Sequence, residues 1–169
     1  VPYYYYTKYV ELNAVEFEKY RAATMIMGAN SERKTKLSEK IYKDAANERS
    51  RIVQNAEKKI DAIKEVVNER NLDFSLIFTS PALIDEIQTV LNKTKPPIYS
   101  RKITQKDTPK NEQREEVFRG IEKGSYNSIL AIKIMDEGVD IPALKTCVIV
   151  SSTGNLKQFI QRRGRVLRP

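Results

Sequence analysis

Histidine is absent from the 169 residues, and cysteine occurs once, as Cys147. Without histidine there is no Ser-His-Asp triad, no Cys-His pair and no His-ligated metal. One cysteine excludes an internal disulfide and a cysteine-rich zinc site, and it fits a reducing compartment. No apolar run approaches the roughly 20 residues that cross a bilayer, so the chain is expected to be soluble, with no membrane partner. No internal repeat is visible, and the heptad pattern is too short for a coiled coil. No Gly-Lys-Ser or Gly-Lys-Thr occurs, which excludes the phosphate-binding loop G-x-x-x-x-G-K-[ST]. The chain opens on Val1 without a charged-then-apolar leader and is expected to be a piece of something longer.

Positive charge, by contrast, is plentiful. Thirty Lys and Arg stand against 22 Asp and Glu, a formal charge of +8, which suits a polyanionic partner. Hydrophobic residues make up 40%, enough for one packed core, and the length suits one domain with an elaborate extension.

The segment from Tyr3 to Leu12 reads YYYYTKYVEL. Its aromatic and β-branched content predicts a strand packing aromatics onto a core, with base stacking by an exposed tyrosine as the alternative. From Asn13 to Asn71 the pattern is helical, with Ile52, Ala56, Ile60, Ile63 and Val67 on one apolar stripe. Residues Asn30 to Asn47 are more polar and read as a loop or mobile helix. The basic cluster from Ser31 to Lys36 reads as solvated surface ahead of a nucleic-acid contact.

After Leu72 the texture becomes α/β. Phe74–Thr79 is a buried-strand run, and Ser80-Pro81 offers an N-cap and first-turn proline. Leu83, Ile84, Ile87, Val90 and Leu91 give the next helix its apolar face. Ile98–Ile103 predicts a second strand, Thr108-Pro109 another cap, and Val117 with Ile121 a buried helix side that Gly124 ends. Ile129–Ile132 and Thr146–Val150 predict two more strands, with Cys147 as inert packing. Asn155–Arg163 predicts a short helix. Strands separated by helices imply crossovers and a parallel sheet with flanking helices.

Ligands of such a sheet bind beyond the carboxyl ends of its strands. Three segments belong there: Thr79-Ser80, Met135–Asp140 and Ser151–Asn155. In the second, Gly138 lets the backbone approach a ligand and Asp140 can accept hydrogen bonds from sugar hydroxyls, although such a loop is equally a turn. The apolar run ending in Asp136-Glu137 also has the look of a Mg²⁺-holding strand of a phosphate-loop ATPase. Lys133 interrupts it and the partner loop is missing, so the chain lacks a complete nucleotide site. The strongest signal is the final stretch, QRRGRVLRP from Gln161 to Pro169. If helical, Arg162, Arg165 and Arg168 fall near one face, where planar guanidinium forks suit phosphate oxygens. The alternative is a basic, exposed terminus.

With this order in place, the chain resembles the second RecA-like domain of a superfamily-2 helicase of the DEAD/DEAH type, in its XPB-like and restriction-motor branch. Leu76–Thr79 resembles motif IV, Asp136–Pro142 motif V, and Gln158–Pro169 motif VI. The resemblance implies a domain over 72–169, preceded by a connecting region over 1–71 with an N-terminal strand and long helices. It implies that Arg165 and Arg168 are arginine fingers for ATP, with Gln161 near the same phosphate. Gly138, Asp140 and Glu137 would lie on the nucleotide side, and Arg162 would orient neighbouring motifs. Thr79, Ser80, Ser151, Ser152 and Thr153 would face the nucleic-acid backbone. ATP with Mg²⁺ would be held mainly by an absent first lobe, the nucleic acid is expected to be DNA, and the fragment alone is expected to be inactive. The expected compartment is the cytoplasm, or the nucleus in a eukaryote. The alternative is a non-catalytic binding module with a helicase-like fold. Two positions depart from the family pattern. Ile132 stands where members usually carry Thr or Ser, six residues before Gly138, and Ile121 fills an aromatic slot seven residues after Arg114.

Overall fold

A computed structural model describes residues 4–32, 35–132 and 143–151. The chain divides into two compact units, Lys8–Lys59 and Val1–Thr7 with Ile60–Pro169.

The first unit is built on α1 (Ala14–Asn30) and α2 (Lys36–Gln54). Each begins where a side chain satisfies the orphan amides of a first turn. Asn13 accepts from the Glu16 amide at 2.9 Å while Glu16 accepts from the Asn13 amide at 3.0 Å, a reciprocal capping box. Glu16 also accepts from the Glu57 amide at 2.9 Å, tying the chain beyond α2 back to the start of α1. Thr35 caps α2 by accepting from the Ser38 amide at 3.1 Å. The stretch expected as a loop or mobile helix is therefore a regular helix from Lys36 onward, held by this cap and by buried Ser38, Ala45 and Ile52. Arg49 lies over the Tyr20 ring, 4.9 Å from its centroid. The Lys59 ammonium donates to the Gln54 carbonyl, and burial pushes its pKa down to about 8. The apolar stripe that reads as continuous from Ile52 to Val67 is interrupted, since α2 ends at Gln54 and α3 (Lys59–Glu69) starts anew.

The second unit carries α3 and a four-stranded sheet: β1 (Ser75–Phe78), β2 (Ser100–Ile103), β3 (Ser128–Ala131) and β4 (Thr146–Ile149). Helices α4 (Ile84–Asn92) and α5 (Asn111–Glu122) connect β1 to β2 and β2 to β3. The order is β2-β3-β1-β4 and every pairing is parallel, as the alternation of strands and helices predicts. Leu76 pairs with Ile129 and Cys147, Ile77 with Leu130 and Val148. Because side chains alternate across a strand, these neighbours feed two cores. Leu76, Phe78, Ile129 and Ala131 pack with Val117, Phe118 and Ile121 of α5. Ile77 and Leu130 pack on the other face with Ile60 and Ile63 of α3 and Ile84, Ile87 and Leu91 of α4. Ile121 is fully buried, so its substitution for an aromatic is a change within the core.

Helix ends follow different chemistry from that expected. α4 starts at Ile84 with Leu83 in the cap position, and the turn before it is closed by Leu83 donating to the Ser80 carbonyl; the Ser80 side chain caps nothing. Thr108 donates to the Thr104 carbonyl, and α5 begins after Lys110. Gly124, at φ +72°, ends α5 as expected. Its amide donates to Ile121 and that of Ser125 to Gly120, the paired bonds of a Schellman motif. The described part of the tyrosine-rich segment forms no strand, and Tyr4, Tyr5 and Tyr6 are exposed rather than packed. High β-propensity gains nothing there, because a strand needs a ladder partner and a face to bury. The helix expected over 155–163 lies outside the described residues.

Ser75 and Ser128 face each other in register, both fully buried, with their hydroxyls 2.9 Å apart. Removing the Ser128 hydroxyl strands that of Ser75, at a cost of about 1–3 kcal/mol, whereas the Ser128 hydroxyl keeps the Ser75 carbonyl as acceptor at 3.4 Å and removing both hydroxyls is nearly neutral. Urea unfolding of Ser75→Ala, Ser128→Ala and the double variant should thus show a double variant no less stable than either single one. Simple additivity of the two losses would refute this account of the pair.

Candidate nucleic-acid and nucleotide edge of the sheet

The ladder continues one residue past β1 and two past β4 and brings hydroxyl side chains to the carboxyl edge. The Thr79 amide donates to the Ala131 carbonyl at 3.0 Å, and the Ser151 amide to the Phe78 carbonyl at 3.3 Å. Ile132 donates to Ile103 at 3.2 Å, so the position after β3 is level with the others but carries no hydroxyl. The Ile132 side chain instead packs against the core on the α3–α4 face. After β1 the chain enters the α4 face, while before β4 it returns through Leu144 on the α5 face.

Four polar side chains beyond the ends of β1 and β2 differ sharply in how they are satisfied. Thr104 is used up internally: its hydroxyl donates to the Asp107 carboxylate at 2.6 Å and accepts from the Lys106 and Asp107 amides. Thr108 is satisfied by the Thr104 carbonyl at 3.1 Å. Thr79 and Ser80 are as deeply buried, at 5% and 4% exposure, yet neither hydroxyl has a hydrogen-bond partner among the described residues. A buried hydroxyl left unpaired costs about 1–3 kcal/mol, so both hydroxyls are poised to bond a group beyond the described residues. Arg114, at the start of α5, donates from Nε to the Thr108 carbonyl and from Nη1 to Asn111, both at 3.1 Å. Only neutral groups accept from it in these bonds, so no carboxylate offsets its positive charge there. Its sequence position marked it as a family landmark, but only the folded turn supplies the carbonyl that fixes it. Lys102 and Asp85 pair alongside.

Of the residues expected at the site, Thr79, Ser80 and Ser151 lie together at this edge, and Ser151 is buried like the other two. Glu137, Gly138, Asp140, Ser152, Thr153, Gln161, Arg162, Arg165 and Arg168 lie outside the described residues. Among the described residues no group of three acids or thiols could hold a metal ion. No described helix is long and apolar enough to cross a membrane.

A parallel sheet in the order β2-β3-β1-β4, with helices on both faces, is the RecA-like architecture of helicase C-terminal lobes. Residues 32–169 match the family model described as the helicase conserved C-terminal domain, and the chain belongs to that family. It is 31% identical over 125 residues to the DNA 3'-5' translocase XPB2 of Sulfurisphaera tokodaii, covering 73% of this chain and 26% of that one. The chain thus spans about a quarter of that relative's length. By fold it is similar to the C-terminal domain of the DEAD-box protein Dbp5, with a TM-score of 0.55 and 17% identity over 69% of this chain and 66% of that one. It is similar too to the Sulfolobus solfataricus SWI2/SNF2 ATPase core in complex with dsDNA, with a TM-score of 0.60 and 12% identity over 83% and 33% of the two chains.

Proposed function

We propose that the chain is the second motor lobe of an ATP-dependent nucleic-acid translocase or helicase, with 72–169 as the lobe and 1–71 as the region connecting it to the first. The observation that carries this reading is the pair of buried hydroxyls of Thr79 and Ser80, without a partner among the described residues, at the carboxyl end of β1 in a helicase C-terminal fold. Hydroxyls donate well to phosphate oxygens and do not read bases, so with Ser151, Ser152 and Thr153 they would track one strand's backbone. DNA is the substrate favoured by the likeness to a DNA translocase.

The donor set fits one side of an ATP site and not the whole of it. Arg165 and Arg168 would offer guanidinium forks to the γ-phosphate, with Gln161 beside it and Arg162 orienting the neighbouring motifs. Asp140 would accept from the ribose hydroxyls, and Gly138, flanked by Glu137, keeps a side chain out of the way. Nothing in the sequence supplies a phosphate loop, so Mg²⁺ and most of the triphosphate belong to the first lobe. ATP supplies the driving free energy, while this chain's residues would grip and release as the lobes close and open. The site of action would be the cytoplasm, or the nucleus of a eukaryote.

The test compares ATP hydrolysis by the full-length protein and by these 169 residues, each with and without nucleic acid. Hydrolysis stimulated by nucleic acid in the first and none in the second is the expected result. A full-length protein that binds nucleic acid without hydrolysing ATP would favour a non-catalytic module instead. Thr79→Val and Ser80→Ala add an independent check. Because these hydroxyls have no partner among the described residues, their removal should leave the melting temperature unchanged or slightly higher, while nucleic-acid affinity falls. Destabilisation by both, with affinity intact, would overturn the assignment.

A further inference from the structure

We propose that Tyr4, Tyr5 and Tyr6, together with Arg70, form a stacking platform for the bases of an unpaired nucleic-acid strand. The three rings are 88%, 62% and 64% exposed. Consecutive residues of a paired strand would point to opposite faces and one face would be covered, but this segment joins no ladder and leaves all three in solvent. One ring is already engaged by a cation: the Arg70 guanidinium lies over Tyr6, 3.9 Å from its centroid. Arg70 is exposed and follows directly on α3, its amide donating to Val66 at 2.9 Å. Ile60 and Ile63 bury α3 in the core, so the cation is carried by an anchored element.

The chemistry of the patch selects among occupants. An apolar protein surface is met by aliphatic side chains, whereas the exposed groups named here are phenol rings and a guanidinium. Rings stack on base faces without regard to sequence, and a guanidinium both stacks and pairs with phosphate. The excess of cations, +8 over the whole chain, favours the same polyanion. This inference rests on the motor reading for the presence of a single strand, yet it concerns a surface other than the carboxyl edge of the sheet.

Tyrosine fluorescence offers a direct test, because the chain has nine tyrosines and no tryptophan. Titrating the chain with oligothymidylate should quench the tyrosine emission through stacking, and a duplex of equal length should quench it less. Tyr4→Ala and Tyr5→Ala should each weaken oligothymidylate binding about tenfold. Tyr5→Leu, which keeps bulk but removes the π face, should do the same, and Tyr5→Phe should bind as the parent does. Arg70→Ala should lower the dependence of log affinity on log salt by about one unit. Duplex affinity and the ATPase of the full-length protein on duplex should not change in the tyrosine variants, which reads the motor assignment separately. Absence of quenching, or undiminished single-strand affinity in Tyr4→Ala and Tyr5→Leu, would overturn the platform and point to a contact with another part of the protein.

Discussion

Arg168→Ala and Arg165→Ala, each made in the full-length protein, are expected to cut ATP turnover by about 10³–10⁵, the range an arginine finger contributes in other phosphate-transferring NTPases. The reason is geometric as much as electrostatic. Charge spreads over the equatorial oxygens of the phosphoryl group as it transfers, and a fixed planar fork stabilises that distribution without reorganising water. An alanine leaves the charge to solvent. A lysine keeps a point charge but loses the bidentate geometry, so Arg168→Lys should recover little. Because the interaction matters in the transition state, kcat should fall much further than KM rises. Nucleic-acid affinity should persist, since the strand contacts assigned to Thr79 and Ser80 are untouched. Measuring single-turnover hydrolysis and duplex binding on the same preparations separates the two effects. Near-parental turnover in both alanine variants would remove the finger role from these residues.

Leu130→Ala and Ile77→Ala carry the second large expected effect, on stability. Both side chains are fully buried, and their residues pair in register between the two central strands. They lie under α3 and α4 in one cluster. Truncation there removes burial and leaves a cavity that parallel neighbours cannot collapse into, at about 2–5 kcal/mol. Against a typical domain stability of about 5–15 kcal/mol this is a large share. Thermal unfolding should show Tm lowered by about 5–15 °C for a chain of this size. Ile77→Val, which keeps the β-branched shape, should cost only about 0.5–1.5 kcal/mol. Leu37→Ala serves as the control, since Leu37 is largely exposed on α2 and its truncation should be near neutral. Equal losses for Leu37→Ala and Leu130→Ala would contradict the core described here.

Much of the sheet was legible because a buried strand writes its own signal. Leu76-Ile77-Phe78 and Ile129-Leu130-Ala131 are short apolar runs bounded by polar residues, and each strand falls within a residue or two of its expected limits. Gly124 was legible for the same local reason, since a left-handed helix end demands glycine whatever surrounds it. The tyrosine-rich segment was misread because propensity alone counted, and pairing is not a local property. The caps of α4 and α5 were misread because serine and threonine offered more candidate caps than there were helix starts. Thr104, four residues before the expected cap Thr108, took the organising role through Asp107.

The sequence by itself determined the chemistry on offer: guanidinium groups at Arg162, Arg165 and Arg168, no histidine, no phosphate loop, and apolar runs of strand and helix period. Those are properties of residue type and spacing along the chain. Only the tertiary structure decided the order β2-β3-β1-β4, which seats β1 between β3 and β4 and brings Thr79 and Ser80 beside Ser151. It alone separated Thr104, satisfied by its own turn, from Thr79 and Ser80, whose buried hydroxyls find no partner among the described residues. Strand order is chosen by which faces α3, α4 and α5 can bury together, a balance among residues far apart in sequence. A hydroxyl's freedom is in turn a remainder of that packing, so it exists only once the chain has folded.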